Sequence, residues 1–246
     1  MDPVFLVEAL PSGDRAVLDG EEARHAVTVR RIRPGERIVL TDGRGGGARC
    51  VADSVQGGRD AELALRVEES WTEPEPELRV IVAQALAKGD RGELAVELAT
   101  EAGVDEIVPW RAARSVAKWE DGPRGDKALA RWRSTARAAA KQARRLWLPA
   151  VAEPMTTKQL AALAGEVDRA LVLEAEAGVR LADAGLPSAG SLLLVVGPEG
   201  GIGPEELALL SDAGARPVRL GQTVLRTSTA AAVALGALGA LTSRWA

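Results

Sequence analysis

The chain has 246 residues, 46% of them hydrophobic and 27% charged, with a net charge of −4, which fits one large domain or a medium domain beside a small one and excludes disordered and fibrous classes. One cysteine, Cys50, and one histidine, His25, exclude an intrachain disulfide and leave no Cys/His set for a structural zinc, so no metal is expected. No run approaches the roughly 18 apolar residues of a membrane span, and the opening MDPVFLVEALPSGD lacks a basic n-region, so the expectation is a cytoplasmic protein with no membrane partner.

Residues 1–70 read as short strands between turns. Arg37–Leu40 precedes Asp42-Gly43, Ala48–Val55 precedes Gly57-Gly58, and in Glu62–Val67 the apolar Leu63, Leu65 and Val67 alternate with other positions. A small β-barrel over residues 1–72 follows. Within it Arg24, Arg30, Arg31, Arg33 and Arg37 cluster around His25, with Glu36 as the acid inside the cluster. The segment from Trp71 to Leu78 has two prolines and three acids, the composition of an extended linker.

From Leu78 the pattern changes to apolar runs alternating with helical stretches. Strands are predicted at 78–86, 105–109, 170–174, 191–196 and 218–220, and helices at 92–102, 125–147, 204–213 and 227–245. Such alternation predicts an α/β domain with a largely parallel sheet over residues 78–246.

Charge is distributed unevenly. Residues 111–147 hold eleven Lys/Arg against three acids, a net of +8, so the rest of the chain carries −12. This is the footprint either of a surface that meets phosphates or of a solvated charged helix. On a helical wheel Leu129, Trp132, Ala136, Ala139, Ala143, Leu146 and Trp147 share one sector, and Arg133, Arg137, Lys141 and Arg144 share another. No acid lies between Ala128 and Val151 to pair with them along the helix, which favours phosphate contact, and Arg114 and Arg145 extend the set. The last predicted helix carries no charge from Thr227 to Thr242, so it belongs in a core, a subunit interface or both; Gly236 and Gly239 would allow a close approach.

Ligands of open parallel sheets sit at the carboxyl ends of the strands. Three such ends stand out: Leu171-Val-Leu-Glu174; the strand into Gly197-Pro-Glu-Gly-Gly201; and Val218-Arg-Leu-Gly221 leading through Leu225-Arg-Thr227 to the uncharged helix. Neither G-x-G-x-x-G nor G-x-x-x-x-G-K-[ST] occurs, and neither does G-x-S-x-G. A dinucleotide fold, a P-loop and a serine hydrolase therefore lack their parts.

Val195-Val-Gly-Pro-Glu-Gly-Gly-Ile202, followed by Leu220-Gly-Gln-Thr-Val-Leu-Arg-Thr-Ser-Thr-Ala230, resembles the paired C-terminal motifs of the SPOUT methyltransferases, and within them the RsmE family, which methylates N3 of a uridine in 16S ribosomal RNA. His25–Gly35 (HAVTVRRIRPG) is similar to that family's RNA-binding barrel motif. Lys88-Gly-Asp-Arg91, Thr100-Glu-Ala-Gly-Val104 and Gln142-Ala-Arg-Arg145 with Pro149 are similar to its other motifs. The resemblance implies an N-terminal PUA-like β-barrel, then a SPOUT α/β domain with a C-terminal trefoil knot, a homodimer, and 16S ribosomal RNA in the assembled small subunit as substrate. It also implies S-adenosylmethionine held by Leu173 and Glu174, by Val196, Gly197, Glu199, Gly200 and Gly201, and by Leu220, Gly221, Val224, Leu225 and Thr229. RNA contacts are expected at His25, Arg30, Arg31, Arg33, Arg114, Arg133, Arg137, Lys141, Arg144 and Arg145. The chain departs from the family's commoner residues at Leu98, Ala138, Ala143 and Ser228, where Lys, Glu, Ser and Glu are frequent.

Methyl transfer to an imide nitrogen requires loss of its proton, and a nearby cation stabilises the anion. Arg226 is the candidate catalytic residue for that role, against the alternative of a loop residue held in a salt bridge; an arginine cannot be the base. Two functional rivals stay open. A related SPOUT enzyme would methylate transfer RNA or a ribose 2′-hydroxyl, distinguished by the methylated nucleoside, and a non-catalytic RNA-binding protein would fail to bind the cofactor.

Overall fold

The computed structural model describes residues 2–245 and divides into two compact units, one of everything up to Glu75 together with Ala140–Leu148, the other of Pro76–Ala139 and the chain from Pro149 onward. The first is built on a five-stranded sheet. Its strands β1 (Val4–Leu6), β2 (Arg15–Leu18), β3 (Arg37–Thr41), β4 (Gly46–Gln56) and β5 (Glu62–Thr72) lie in the order β1-β3-β4-β5-β2, with the β1/β3 pair parallel and the others antiparallel. Alternation fills the interior: Ile38, Leu40, Ala48, Cys50, Ala52, Leu63 and Leu65 pack with Phe5 and Leu18 into one cluster. Burial pushes the Cys50 thiol up to about 11, so it is an inert core residue rather than a nucleophile.

Two short strands and a helical segment in this unit carry no strong periodic signal. β1 and β2 are three and four residues long, and α1 (Gly20–Arg24) runs on into a π-helical stretch, His25–Arg30, that closes on Arg31 in the left-handed conformation at φ 56°. β5 continues five residues past the predicted strand, so Trp71 and Thr72 belong to the sheet and not to the linker. Trp71 packs against Val4, Val39 and Leu146, which explains why an aromatic residue stands next to an acidic, proline-rich segment.

The second unit is three-layered. A six-stranded, wholly parallel sheet has the order β11-β9-β10-β6-β7-β8, from β6 (Leu78–Ala85), β7 (Glu106–Trp110), β8 (Ala150–Val151), β9 (Arg169–Leu173), β10 (Gly190–Val196) and β11 (Arg216–Val218). The central pair β6/β10 is apolar over Val80–Ala83 and Leu192–Val196 because both of its faces are covered there. Val80, Val82, Leu192, Leu194 and Val196 meet one side's helices, α2 (Arg91–Glu101), α3 (Pro123–Gln142) and α6 (Thr227–Leu241). Their alternating neighbours Ile81, Ala83, Leu193 and Val195 meet α4 (Thr157–Glu166) and α5 (Pro204–Asp212). Helix α4 was not expected; its TKQLAALAGE stretch carries a Thr156/Gln159 capping box that marks its start.

Three expected elements differ. The long helix ends at Gln142 rather than Trp147, because Arg144 turns left-handed at φ 57°. Leu146 therefore packs on β1 and β3, Trp147 donates from Nε1 to the Glu73 carbonyl, and Ala143 is exposed, so these three leave the helical face on which Leu129, Trp132, Ala136 and Ala139 are buried. The edge strand β11 lies at 216–218, two residues before the predicted 218–220; an edge position tolerates Pro217. The last helix ends at Leu241, and a 3-10 turn, Ser243–Trp245, folds back so that the indole of Trp245 covers Gly236 and Gly239. A Cβ at Gly239 would stand on that ring, so what approaches the glycines is a side chain of the same chain.

Candidate active site

The chain runs from β6 outward through β7 and β8, then returns to place β9, β10 and β11 on the other side, which makes the β6/β10 boundary the point where the strand order reverses. Crevices open at the carboxyl ends of the strands at such points. A cavity of about 410 Å³ lies there. The end of β9 contributes Leu173 and Glu174, the end of β10 contributes Val196, Gly197, Glu199 and Gly201, and the segment after β11 contributes Leu220, Gly221, Val224 and Leu225. Ten of the twelve residues expected at the cofactor thus line one cavity.

The other two stand outside the lining. A Cβ on Gly200 would meet Arg114, 3.3 Å from its Cβ, and Arg114 Nη1 donates to the Gly200 carbonyl at 3.2 Å, so this glycine faces the loop after β7. Thr229 lies inside the first turn of α6 with its hydroxyl on the Arg226 carbonyl. Sequence reasoning missed Arg91, Ile202, Val218, Thr227 and Ala230, which also line the cavity. Arg91 closes the Lys88-Gly-Asp-Arg91 motif and opens α2, and its place in that motif was the available signal.

The walls are held by specific contacts. Gly201 takes φ 72°, which turns the chain back after Pro198, and a Cβ on Gly197 would meet Ile202 Cγ1 at 2.7 Å. Thr227 Oγ1 donates to the Gly197 carbonyl at 2.7 Å and accepts from Gln84 Nε2 at 3.0 Å, so the end of β6, the glycine turn and the start of α6 are tied at one hydroxyl. Glu199 Oε1 accepts from the Lys88 amide at 3.1 Å and stands 3.9 Å from Arg91 Nη1. The buried Glu206 carboxylate accepts from Thr157 Oγ1 and the Ala113 amide through Oε1 and from the Gly203 amide through Oε2, fixing the loop that carries Arg114. Arg226 lines the cavity as the N-cap of α6 and has no ion-pair partner among the described residues, so the salt-bridged alternative has no acid to rest on. Ser228, in the place where an acid is common, is buried and uncharged.

The expected RNA-contact residues are unequal. Arg30, Arg31 and Arg33 are exposed and, like Arg114 and Arg144, form no ion pair among the described residues. Arg133 pairs with Glu153 at 2.9 Å, and Lys141 makes two 2.9 Å contacts with the half-buried Glu22. Acids absent from the helix itself arrive from other elements, and Arg137 and Arg145 are engaged as well. His25 is half-buried and meets Phe5 in an edge-to-face contact; burial first and the Lys141 charge second hold its imidazole below the usual value, which keeps it neutral near pH 7.

The model of the RNA methyltransferase domain family matches residues 74–239, and that of the RNA methyltransferase PUA domain matches residues 18–51. A Mycobacterium bovis protein named ribosomal RNA small subunit methyltransferase E is 56% identical over 98% of this chain and 93% of its own. The chain belongs to this family of RNA methyltransferases. A Bacillus subtilis member of the same name is 34% identical over 90% of this chain and 88% of its own. The Neisseria gonorrhoeae member, solved bound to S-adenosyl methionine, has a TM-score of 0.85 at 27% identity and covers 98% of each chain. No helix among the described residues of this RNA methyltransferase is long and apolar enough to cross a membrane.

Proposed function

We propose that the protein transfers a methyl group from S-adenosylmethionine to N3 of a uridine in 16S ribosomal RNA, working in the cytoplasm as a homodimer on the assembled small subunit. The observation that carries this reading is the cavity at the ends of β9, β10 and β11, lined by an Arg226 that forms no ion pair among the described residues. Its volume falls in the range of about 300–1,000 Å³ usual for small-molecule sites. Apolar walls from Leu173, Val196, Ile202, Val218 and Leu220 suit an adenine, exposed backbone at the glycine turn suits its polar edge, and the carboxylates of Glu174 and Glu199 suit a cationic sulfonium. When bound, S-adenosylmethionine supplies the electrophilic methyl group.

The chain's own residues do the rest. Thr227 and Gln84 hold the glycine turn and the α6 terminus in fixed relation, which positions whatever lies between them. Deprotonation of a uracil imide spreads negative charge over N3 and its flanking carbonyls. The Arg226 guanidinium and the uncapped amides at the start of α6 both favour such an anion. The trefoil path of the segments around Gly197–Gly201 and Leu220–Arg226 belongs to the same proposal, as does dimerisation. Val233 and Leu241 remain 46% and 49% exposed on α6, whereas Leu238 is buried within the protomer, so Val233 is the residue to probe in the pairing of two copies.

Millimolar S-adenosylmethionine should raise the melting temperature, since a ligand at about 100 times its Kd adds roughly 2.7 kcal/mol to stability. Mass spectrometry of nucleosides from methylated ribosomal RNA should show N3-methyluridine. No thermal shift together with no binding by calorimetry would favour the non-catalytic rival, and a ribose-methylated product would replace the substrate assignment.

RNA affinity should fall with salt, and the barrel arginines should account for more of the dependence than the helix. Arg30→Ala, Arg31→Ala and Arg33→Ala should each reduce the slope of log K against log[salt] by about 0.7–0.9, the value for one released counterion contact. Lys141→Ala should leave the slope unchanged because Glu22 already neutralises that charge. Equal slope changes at Lys141 and Arg31 would show that the pair opens on RNA.

A further inference from the structure

A second cavity of about 260 Å³ borders the Lys88–Arg91 loop, in the same unit. The two cavities share that loop as a wall: Arg91 lines the first, while Ala87, Gly89 and Gly92 line the second. Two tryptophans complete it. Trp132 is fully buried, and half-buried Trp119 meets it edge to face, ring centroids 4.9 Å apart and planes at 77°. An edge-on contact occupies at most one face of Trp119, so at least one of its π-faces is not taken by Trp132. A Cβ on Gly92 would press on Trp132 at 2.9 Å, so the helix must approach with a glycine for the indole to sit where it does.

The polar groups of this cavity are Glu93 and Arg131. Arg131 Nε stands 3.2 Å from Glu93 Oε1, and the side chains are 60% and 27% exposed for Arg131 and Glu93 respectively. The arrangement offers a carboxylate acceptor beside guanidinium donors, next to an aromatic face, at one edge of a cavity too small for a whole dinucleotide. Of the RNA bases, guanine alone presents two adjacent N–H donors, N1–H and N2–H, to a carboxylate, with the O6 acceptor beside them for an arginine. Adenine and cytosine show a single amino donor at that edge, and uracil a single imide N–H between two carbonyls.

We propose that this cavity receives an unstacked guanine of the RNA substrate close to the methylated nucleotide, stacked on Trp119 and read on its Watson–Crick edge by Glu93 and Arg131. Holding a neighbouring base across the Lys88–Arg91 loop would fix the register of the target at the first cavity, so the pocket is a specificity determinant. The inference rests on the RNA-methylating reading above.

The test uses the full-length protein with S-adenosylmethionine and small subunits assembled on synthetic 16S ribosomal RNA, in a series where each guanine near the target uridine is replaced by inosine, which lacks the N2 amino group, or by adenine. Both equilibrium binding and methylation are followed. At one position inosine should raise KM about tenfold with kcat at saturating RNA unchanged. Trp119→Ala should raise KM by about 5- to 100-fold whatever base stands there, the effect of losing one stacked base. Glu93→Gln should abolish the guanine-to-inosine difference, an effect that a merely structural carboxylate would not produce. Cofactor binding in each variant reports whether the fold is kept, and Ala117→Phe, which fills the cavity from the loop side, gives a second route should Trp119→Ala unfold. Methylation that ignores every inosine substitution and survives Ala117→Phe overturns the pocket. Guanine-selective binding with no methyl transfer sustains the pocket and overturns the function proposed for the chain.

Discussion

Arg226→Ala should bind S-adenosylmethionine with near-normal affinity and methylate about 10²–10³ times more slowly, the usual loss when one group that stabilises a developing anion is removed. The expectation follows from three facts of its placement. It lines the cavity, it forms no ion pair among the described residues, and it is the N-cap of a 15-residue helix whose first amides have no side-chain cap. A braced loop residue would show a partner. Raising the pH should partly rescue the variant, because ionising more uridine in solution replaces the stabilisation the guanidinium supplied, whereas the unmodified protein should show a flatter profile. Arg226→Lys should recover part of the rate, since it keeps the charge but not the planar fork of donors. Loss of cofactor affinity in proportion to rate would make Arg226 a ligand of the cofactor, and an unchanged pH profile would remove the uridinate from its role.

The features legible in the sequence were those with strong periodicity or with glycine at fixed places. The β10 strand was plain because a central parallel strand is apolar on both faces, and the GPEGG turn after it was plain because glycine is needed at φ 72° and at the Ile202 contact. Elements resting on tertiary contacts were not. Residues 143–147 look helical by composition, yet the left-handed turn at Arg144 sends Leu146 to Val4 and Val39, residues more than a hundred positions away. The cationic stripe looked unopposed because pairing was sought at helical spacing, whereas Glu153 and Glu22, which pair with Arg133 and Lys141, come from other segments. Arg91 was missed at the cavity for a related reason: the Lys88-Gly-Asp-Arg91 motif singled it out, but only the folded chain brings the end of β10 beside it.

The largest effect on stability should come from a pair that no motif announced. Arg244, in the turn after α6, and Asp105, before β7, have side chains only 10% and 12% exposed, with Arg244 Nη1 donating to Asp105 Oδ2 at 2.8 Å. The same guanidinium donates to the Leu78 and Gly103 carbonyls, and Asp105 Oδ2 accepts the Val80 amide at 2.7 Å. One ion pair thus joins the start of β6, the turn before β7 and the segment after α6, and it holds Trp245 against Gly236 and Gly239. Removing one partner leaves a charge and several backbone groups buried without their bonds, a loss of about 3–5 kcal/mol. Arg244→Met should therefore lower the melting temperature by on the order of 10 °C, at about 2–4 °C per kcal/mol for a chain of this size. The double variant Asp105→Asn/Arg244→Met should lose less than the sum of the two single variants, because the second change removes the charge that the first left alone. Additive losses would mean that the two side chains act separately, and an unchanged melting temperature in Arg244→Met would show that the turn is not fastened by this pair at all.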